Sequence, residues 1–261
     1  MMKHIIKKTV EYKKINPEDI EKFNGLMVDI PGGKIPKLKF KDVKDKHAFL
    51  LMEGGEMLRS FFYNDNGTTC TIPIANPVLI YFHSSQINLR HIYAAKENLL
   101  NMFTDNEKIN ENSLQLFYDF FGLTSGFTVL LMTALEAFVN QKIPADYKYE
   151  KLEGNKFTKI YDNIQIQRWI TLDEKITEIL NRVTNKDFSK QFGNRQIHIS
   201  NLKILRDDIV HTKKGADYEN YTNLFKRTLG FKFNESIEAV RDFINYYEPN
   251  LIEPCPCNID L

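Results

Sequence analysis

The feature that most constrains the fold of this chain is a change in residue pattern near position 83. Before it, glycine and proline recur at short intervals, which leaves room only for short strands and turns. After it, apolar residues recur every three or four positions, the period of an amphipathic helix. The sequence therefore predicts a mixed or β-rich extension over residues 1–80, a helical domain over residues 81–250 and a tail over residues 251–261.

Within the extension, runs typical of strands occur at residues 35–40, 48–52 and 57–63. A Glu-Gly-Gly-Glu sequence at positions 53–56 separates the last two runs. Two strand-like runs joined by a glycine-rich turn predict a β-hairpin. No motif in these residues indicates what the extension does.

The helical part divides into several predicted helices. A first helix has Leu89, Ile92 and Leu99 on one face, and a second runs over residues 113–142 before Pro144. Residues 145–168 have little periodicity and are predicted to form mainly a loop. Thr171 and Glu174 have the spacing of a capping box, which predicts the start of the next helix. Later helices are predicted around residues 202–214, 218–228 and 234–247; in the first of these, Leu202, Leu205 and Ile209 face the core and Gly215 is the C-terminal cap. The fold class is therefore mainly α, an antiparallel helical bundle.

Charge and cysteine content exclude several classes of protein. Lys and Arg together number 35 against 34 Asp and Glu, so no overall basic field indicates a nucleic-acid-binding protein, and phosphate attraction must come from local clusters. The three cysteines are odd in number and lack paired metal-ligand spacing, which indicates a reducing compartment and no structural zinc. The uncharged run of sixteen residues between Asp119 and Glu136 is shorter than the roughly 20 residues of a membrane span. We interpret it as a buried helix in a cytoplasmic protein without membrane contact.

Familiar catalytic and cofactor motifs are missing from the sequence. It has no phosphate-binding loop, no dinucleotide-binding glycine motif, no His-Glu-x-x-His zinc motif and no Gly-x-Ser-x-Gly nucleophile. The scattered histidines do not form a metal-ligand cluster. We therefore predict neither a cofactor nor a metal.

The candidate catalytic residues lie in the hexapeptide Arg206-Asp207-Asp208-Ile209-Val210-His211. It combines a phosphate-binding cation with the side chain that exchanges protons near neutral pH. On an ideal helix Arg206 and His211 are about 140° apart, whereas Asp207 and His211 share one face. Asp207 could therefore orient or charge-stabilise the imidazole while Arg206 reaches a phosphate. The alternative is that His211 is only a residue near a helix end, where the dipole favours a cation.

Glu136 is a possible supporting residue, because it ends the uncharged run and would be costly to bury unpaired. An arginine partner is expected, either Arg206 or another arginine. The alternative position for Glu136 is the edge of the apolar face. The sequence does not decide between these two positions for Glu136.

Three segments resemble the HEPN superfamily (higher eukaryotes and prokaryotes nucleotide-binding), whose members are compact helical bundles with an Arg-x4-6-His signature on a late helix. They are Leu135-Glu136-Ala137-Phe138-Val139-Asn140, Leu172-Asp173-Glu174-Lys175-Ile176 and Leu205-Arg206-Asp207-Asp208-Ile209-Val210-His211. The resemblance covers residues 83–248, and Asp207 matches the polar residue that usually follows the arginine in active members.

This resemblance implies a metal-independent endoribonuclease that forms a homodimer and acts on RNA. His211 would be the acid/base, and Arg206 would bind the scissile phosphate and its transition state. Many members belong to toxin–antitoxin or anti-phage systems, which implies an antitoxin or another regulatory partner. Other members are non-catalytic modules for dimerisation or for binding nucleotide or RNA. The intact motif favours the enzyme, whereas the near-neutral charge favours the binding module.

Overall fold

The computed structural model describes residues 5–7, 25–29, 38–51, 57–104, 111–154, 157–211 and 218–254. The protein is mainly α-helical, with a few small sheets, as the sequence predicts. It divides into two compact units. One comprises residues Lys8–Asn76, and the other joins Met1–Lys7 to Pro77–Leu261.

The unit Lys8–Asn76 contains a four-stranded sheet. Its elements are β2 (Gly25–Asp29), α1 (Phe40–Val43), β3 (His47–Leu51), β4 (Met57–Asp65) and β5 (Thr68–Pro73). The strand order is β2-β3-β4-β5, with β2 parallel to β3 and the other pairs antiparallel. The predicted pairing of β3 with β4 is confirmed, although residues 52–56 of the turn lie outside the described residues.

A small apolar core lies on one face of this sheet, because successive side chains of a strand point to opposite faces. Leu58 and Phe62 of β4 point to one face of the sheet, and Ala48 and Leu50 of β3 point to the same face, where they pack in one cluster with Val43 of α1. A two-residue turn, Asn66-Gly67, joins β4 to β5 with positive φ at both residues. This is the asparagine–glycine sequence that a tight hairpin requires.

The helical unit begins with two long helices. Among the described residues its elements in chain order are β1 (Ile5–Lys7), α2 (Pro77–Thr104), α3 (Glu111–Lys142), β6 (Tyr149–Glu153), β7 (Phe157–Tyr161), α4 (Asn163–Trp169), α5 (Leu172–Glu174), a π-helical segment (Lys175–Leu180), α6 (Asn181–Thr184), α7 (Phe188–Gln191), α8 (Gly193–Val210), α9 (Tyr218–Leu229), α10 (Phe233–Tyr247) and β8 (Ile252–Pro254). One apolar core joins α2, α3, α8 and α10. Its centre is built from aromatic side chains that are fully buried, among them Phe82, Phe127, Phe138 and Phe243.

Helix α3 contains a stretch, Ser113–Lys142, that is long and apolar enough to cross a membrane by length and composition. Half of its most apolar window is buried within the protein. Phe120, Leu131 and Leu135 from this helix belong to the core and are fully buried. A core helix of a soluble protein has the same pattern, so α3 is compatible with a soluble protein.

Residues 145–168 differ from the predicted loop. They contain the hairpin β6–β7 and the helix α4, whose N-terminus carries a capping box between Asp162 and Gln165. Tyr149 and Tyr161, which are paired across the hairpin, are buried. The other hairpin residues are largely exposed, so they lack the apolar periodicity that reveals a half-buried element.

The predicted capping box at Thr171 is only half formed. The Thr171 hydroxyl accepts the backbone N–H of Glu174 at 3.3 Å, as predicted. The Glu174 carboxylate, however, accepts hydrogen bonds from Tyr149 at 2.9 Å and from Lys151 at 2.7 Å. Tertiary contacts with strand β6 therefore take the place of the reciprocal bond to the helix terminus.

Segments near the two ends of the chain pair with each other in a two-stranded sheet. Strand β1 pairs antiparallel with β8, so Ile5 and Ile6 belong to the same sheet as Glu253 and Pro254. Ile252 is fully buried in the core of the helical unit. Residues 255–261 of the predicted tail lie outside the described residues.

Candidate functional site

Helix α8 carries the Arg206–His211 segment and is held in place by both apolar and ionic contacts. Leu202 and Leu205 are fully buried in the core, as the sequence predicts. At the other end of the helix, Arg195 forms ion pairs with Glu238 at 3.1 Å and with Asp242 at 3.0 Å, both on α10. These contacts fix the orientation of α8 and therefore the direction in which its polar residues project.

His211 lies at the C-terminal end of α8. The helix ends at Val210, and the backbone N–H of His211 donates to the carbonyl oxygen of Asp207 at 2.9 Å. The side chain of His211 is exposed to solvent. The predicted end of the helix at Gly215 lies among residues 212–217, outside the described part of the chain.

Arg206 forms an ion pair with the adjacent Asp207. The distance between Nη1 of Arg206 and Oδ1 of Asp207 is 3.1 Å, and the Arg206 side chain is 24% exposed. The second oxygen of the Asp207 carboxylate lies 3.5 Å from Nζ of Lys203. Asp207 is therefore placed between two cations, and its backbone carbonyl oxygen accepts the N–H of His211.

Lys203 extends this group of charges to a second helix. Its Nζ atom lies 3.0 Å from the carboxylate of Asp173 in α5. The hydrogen bond to Asp173 and the charge of Asp207 raise the pKa of Lys203 despite partial burial, so it stays protonated. The series Asp173, Lys203, Asp207 and Arg206 thus alternates in sign and connects α5 to the end of α8.

Glu136 lies near a buried lysine, and no ion pair joins it to an arginine among the described residues. Lys175 is only 1% exposed and donates to the Asn140 side chain at 3.1 Å and to the Gln167 carbonyl at 2.9 Å. Burial lowers the pKa of Lys175, and the negative charge of Glu136 opposes that shift. The expected arginine partner is not found among the described residues; the charge of Glu136 acts instead on Lys175, which stands at the start of the π-helical segment.

Within the hexapeptide, Asp208 forms an ion pair with Arg227 of α9. Arg227 also lines a cavity of about 320 Å³ between α8, α9 and α10. Its lining residues are His198, Asn201, Ile204, Arg227, Gly230, Phe231, Lys232 and Ser236. His198 is therefore part of a concave surface.

No family model, curated protein or solved structure matches this chain. Within the described residues, no group of three His, Cys, Asp or Glu side chains could hold a metal ion.

Sequence reasoning placed Arg206, Asp207 and His211 on one helix end but missed Lys203, Lys175 and Arg227. Lys203 precedes Asp207 by four residues, and this spacing is a signal that could have identified it. Lys175 has no such signal, because a lysine beside apolar residues usually lies on the solvated face. Its burial follows from contacts with Asn140 and Gln167, which are distant in sequence.

Proposed function

We propose that this protein is a metal-independent endoribonuclease of the HEPN type. The observation that carries the proposal is the arrangement at the end of α8, where an exposed His211 follows an Arg206–Asp207 ion pair by one helical turn. Asp207 and His211 lie about 40° apart on an ideal helix. The backbone position of Arg206 lies on a different side of the helix from His211. Its guanidinium group, however, bends towards Asp207, which shares a face with His211. The phosphate-binding cation is therefore brought closer to His211.

The reaction needs one proton acceptor, one proton donor and a stabilised phosphate. The RNA 2′-oxygen attacks phosphorus as its proton passes to a base, and the bond from phosphorus to the 5′-oxygen breaks as that oxygen receives a proton. The products are a 2′,3′-cyclic phosphate and a 5′-hydroxyl. Histidine suits both proton transfers near neutral pH, and the guanidinium of Arg206 stabilises the charge that develops on the phosphate oxygens.

We further propose that the active form is a homodimer with the segment 197–215 at its interface. Two copies of α8 would bring two His211 side chains into one cleft, so that one removes a proton and the other supplies one. Exposed apolar residues on this helix support the proposal, since Ile197 is 57% exposed and Val210 is 52% exposed. A dimer interface along α8 would cover these two side chains.

The proposal is tested by incubating the full chain with mixed RNA in excess chelator and identifying the product ends. We expect cyclic-phosphate and 5′-hydroxyl termini, with no dependence on added magnesium. Activity that requires magnesium would contradict the mechanism. RNA or nucleotide binding without cleavage would instead support a non-catalytic HEPN-type module, the second function that the sequence resemblance implies.

A toxin or phage-defence role in the cytoplasm, restrained by an antitoxin or another regulatory partner, is the cellular context that we propose for such a nuclease. The exposed position of His211 supports control by a partner, because a protein that covers the end of α8 would block access of RNA. Expression of the wild-type chain should then slow cell growth, whereas the His211→Ala variant should not.

A further inference from the structure

The cavity between α8, α9 and α10 is lined mainly by groups that donate hydrogen bonds. His198 and Asn201 lie about one turn apart on α8, Arg227 lies in the last turn of α9, and Lys232 immediately precedes α10. Guanidinium and ammonium groups donate hydrogen bonds and cannot accept them. The described residues that line the cavity include no carboxylate. Such a lining is complementary to an anion.

Lys232 occupies a position where a lysine is electrostatically unfavourable. It is the N-cap residue of α10, and its side chain makes no capping hydrogen bond. Serine, threonine, aspartate and asparagine are preferred there, because the first turn of a helix carries unpaired N–H groups and a partial positive charge. A cation at this position adds to that charge. An anion bound in the cavity would reduce the repulsion.

Two carboxylates lie nearby, and neither lines the cavity. Asp208 pairs with Arg227 from outside the lining, but the guanidinium has donors on all three nitrogens and can bind a second anion. Glu235 follows Lys232 in the first turn of α10. Burial raises the pKa of Tyr93, and the charge of Glu235 adds to this rise, which places Glu235 beside Tyr93.

The volume of the cavity and its remaining lining residues limit which ligands it can hold. About 320 Å³ is at the small end of the roughly 300–1,000 Å³ typical of ligand pockets. Ile204 and Phe231 add apolar and aromatic surface beside the cations. A phosphate with an attached sugar or base uses both kinds of surface, whereas a bare inorganic ion would leave the apolar part unused.

We infer that this cavity is a phosphate-binding site that accepts a nucleotide unit, either free or within an RNA strand. The inference rests on the cavity alone and does not require that the protein cleave RNA. Both ligand sources present the same chemistry, a phosphate attached to a nucleoside.

The test measures binding of three probes to the full chain by calorimetry: adenosine 5′-monophosphate, inorganic phosphate and a 2′-O-methyl RNA hexamer that cannot be cleaved. The variants are Lys232→Gln and His198→Gln. The matched control is Lys226→Gln, which removes the same charge from the exposed face of α9 outside the lining. We expect Lys232→Gln to weaken binding by about tenfold or more, because it removes a charged donor to phosphate. We expect His198→Gln to weaken binding less and Lys226→Gln to leave it unchanged.

Binding of the monophosphate identifies a free nucleotide as a ligand, whereas binding of the hexamer alone identifies an RNA strand. Either result supports the inference if Lys232→Gln weakens that binding and Lys226→Gln does not. Equal effects of Lys232→Gln and Lys226→Gln would show general charge attraction and overturn the inference. Absence of binding by the wild-type chain at millimolar probe concentrations would also overturn it. Circular dichroism of each variant verifies that the helical content is retained.

Discussion

Arg206 and Asp207 form an ion pair although they are adjacent on one helix, with 3.1 Å between Nη1 and Oδ1. Neighbouring residues on a helix point about 100° apart, so the long arginine side chain must bend around the helix to make this contact. Lys203 holds the other oxygen of the same carboxylate. The position of the Arg206 charge therefore depends on Asp207.

We predict that Arg206→Ala and His211→Ala each lower RNA cleavage by about a hundredfold or more. The first removes phosphate stabilisation and the second removes the proton-transfer group. Cleavage rates on a fluorescent RNA substrate measure the effect. His91→Ala, which alters an exposed histidine on α2, is the control and should cleave normally. Cleavage by His211→Ala at the wild-type rate would refute the assignment.

We predict that Asp207→Asn lowers cleavage by about tenfold, less than loss of Arg206 itself. The amide keeps the shape of the side chain but loses the charge that holds the guanidinium in place. Asp173→Asn is the matched control, because Asp173 pairs with Lys203 and has no ion pair with Arg206 among the described residues. Equal losses in the two variants would show that the charge network, and not the position of Arg206, matters for the rate.

For the dimer, we predict that Ile197→Glu and Val210→Glu weaken self-association. Both side chains are exposed on α8, so a carboxylate costs little in the monomer but would be buried at the proposed interface. Light scattering across a concentration series measures the change in mass. Ile164→Glu, at a 63% exposed position on α4, should leave the assembly unchanged. A monomeric wild-type chain at micromolar concentration would contradict the proposal.

For stability, we predict that Lys175→Ala lowers the free energy of unfolding by about 2–4 kcal/mol. The substitution empties a buried site and leaves the Gln167 carbonyl and the Asn140 side chain without their donor. Urea denaturation followed by far-ultraviolet circular dichroism measures the loss. Lys190→Ala, whose side chain is 85% exposed, should change stability by less than about 0.5 kcal/mol.

We predict that Glu174 stabilises the folded state by an amount that depends on pH. Burial acts to raise its pKa, but hydrogen bonds from Lys151 and Tyr149 outweigh burial and hold the pKa below its ordinary value near 4.5. The folded state therefore gains stability from Glu174 above that ordinary value and loses it as the pH falls through the lower folded pKa. Wild type should exceed Glu174→Gln in unfolding free energy at pH 7. This difference should shrink in acid, and a constant difference would contradict the assignment.

The sequence by itself determined the mainly helical fold and the helix that carries the motif. Apolar residues three and four apart, such as Leu202 and Leu205, predicted which face of α8 is buried, because helical periodicity is a local property of the chain. The same reasoning placed Arg206, Asp207 and His211 near a helix end. It also predicted the β3–β4 pairing, since a glycine-rich turn between two short runs is equally local.

Only the tertiary structure decided which charges meet and where concave surfaces form. Glu174 has the spacing of a capping-box residue, yet it binds Tyr149 and Lys151 of another element. Lys175 is buried because Asn140 and Gln167 supply oxygens from distant segments, and the cavity at Lys232 forms only where three helices converge. The physical reason is that side-chain ion pairs and burial depend on distances between residues far apart in sequence, and local periodicity does not contain those distances.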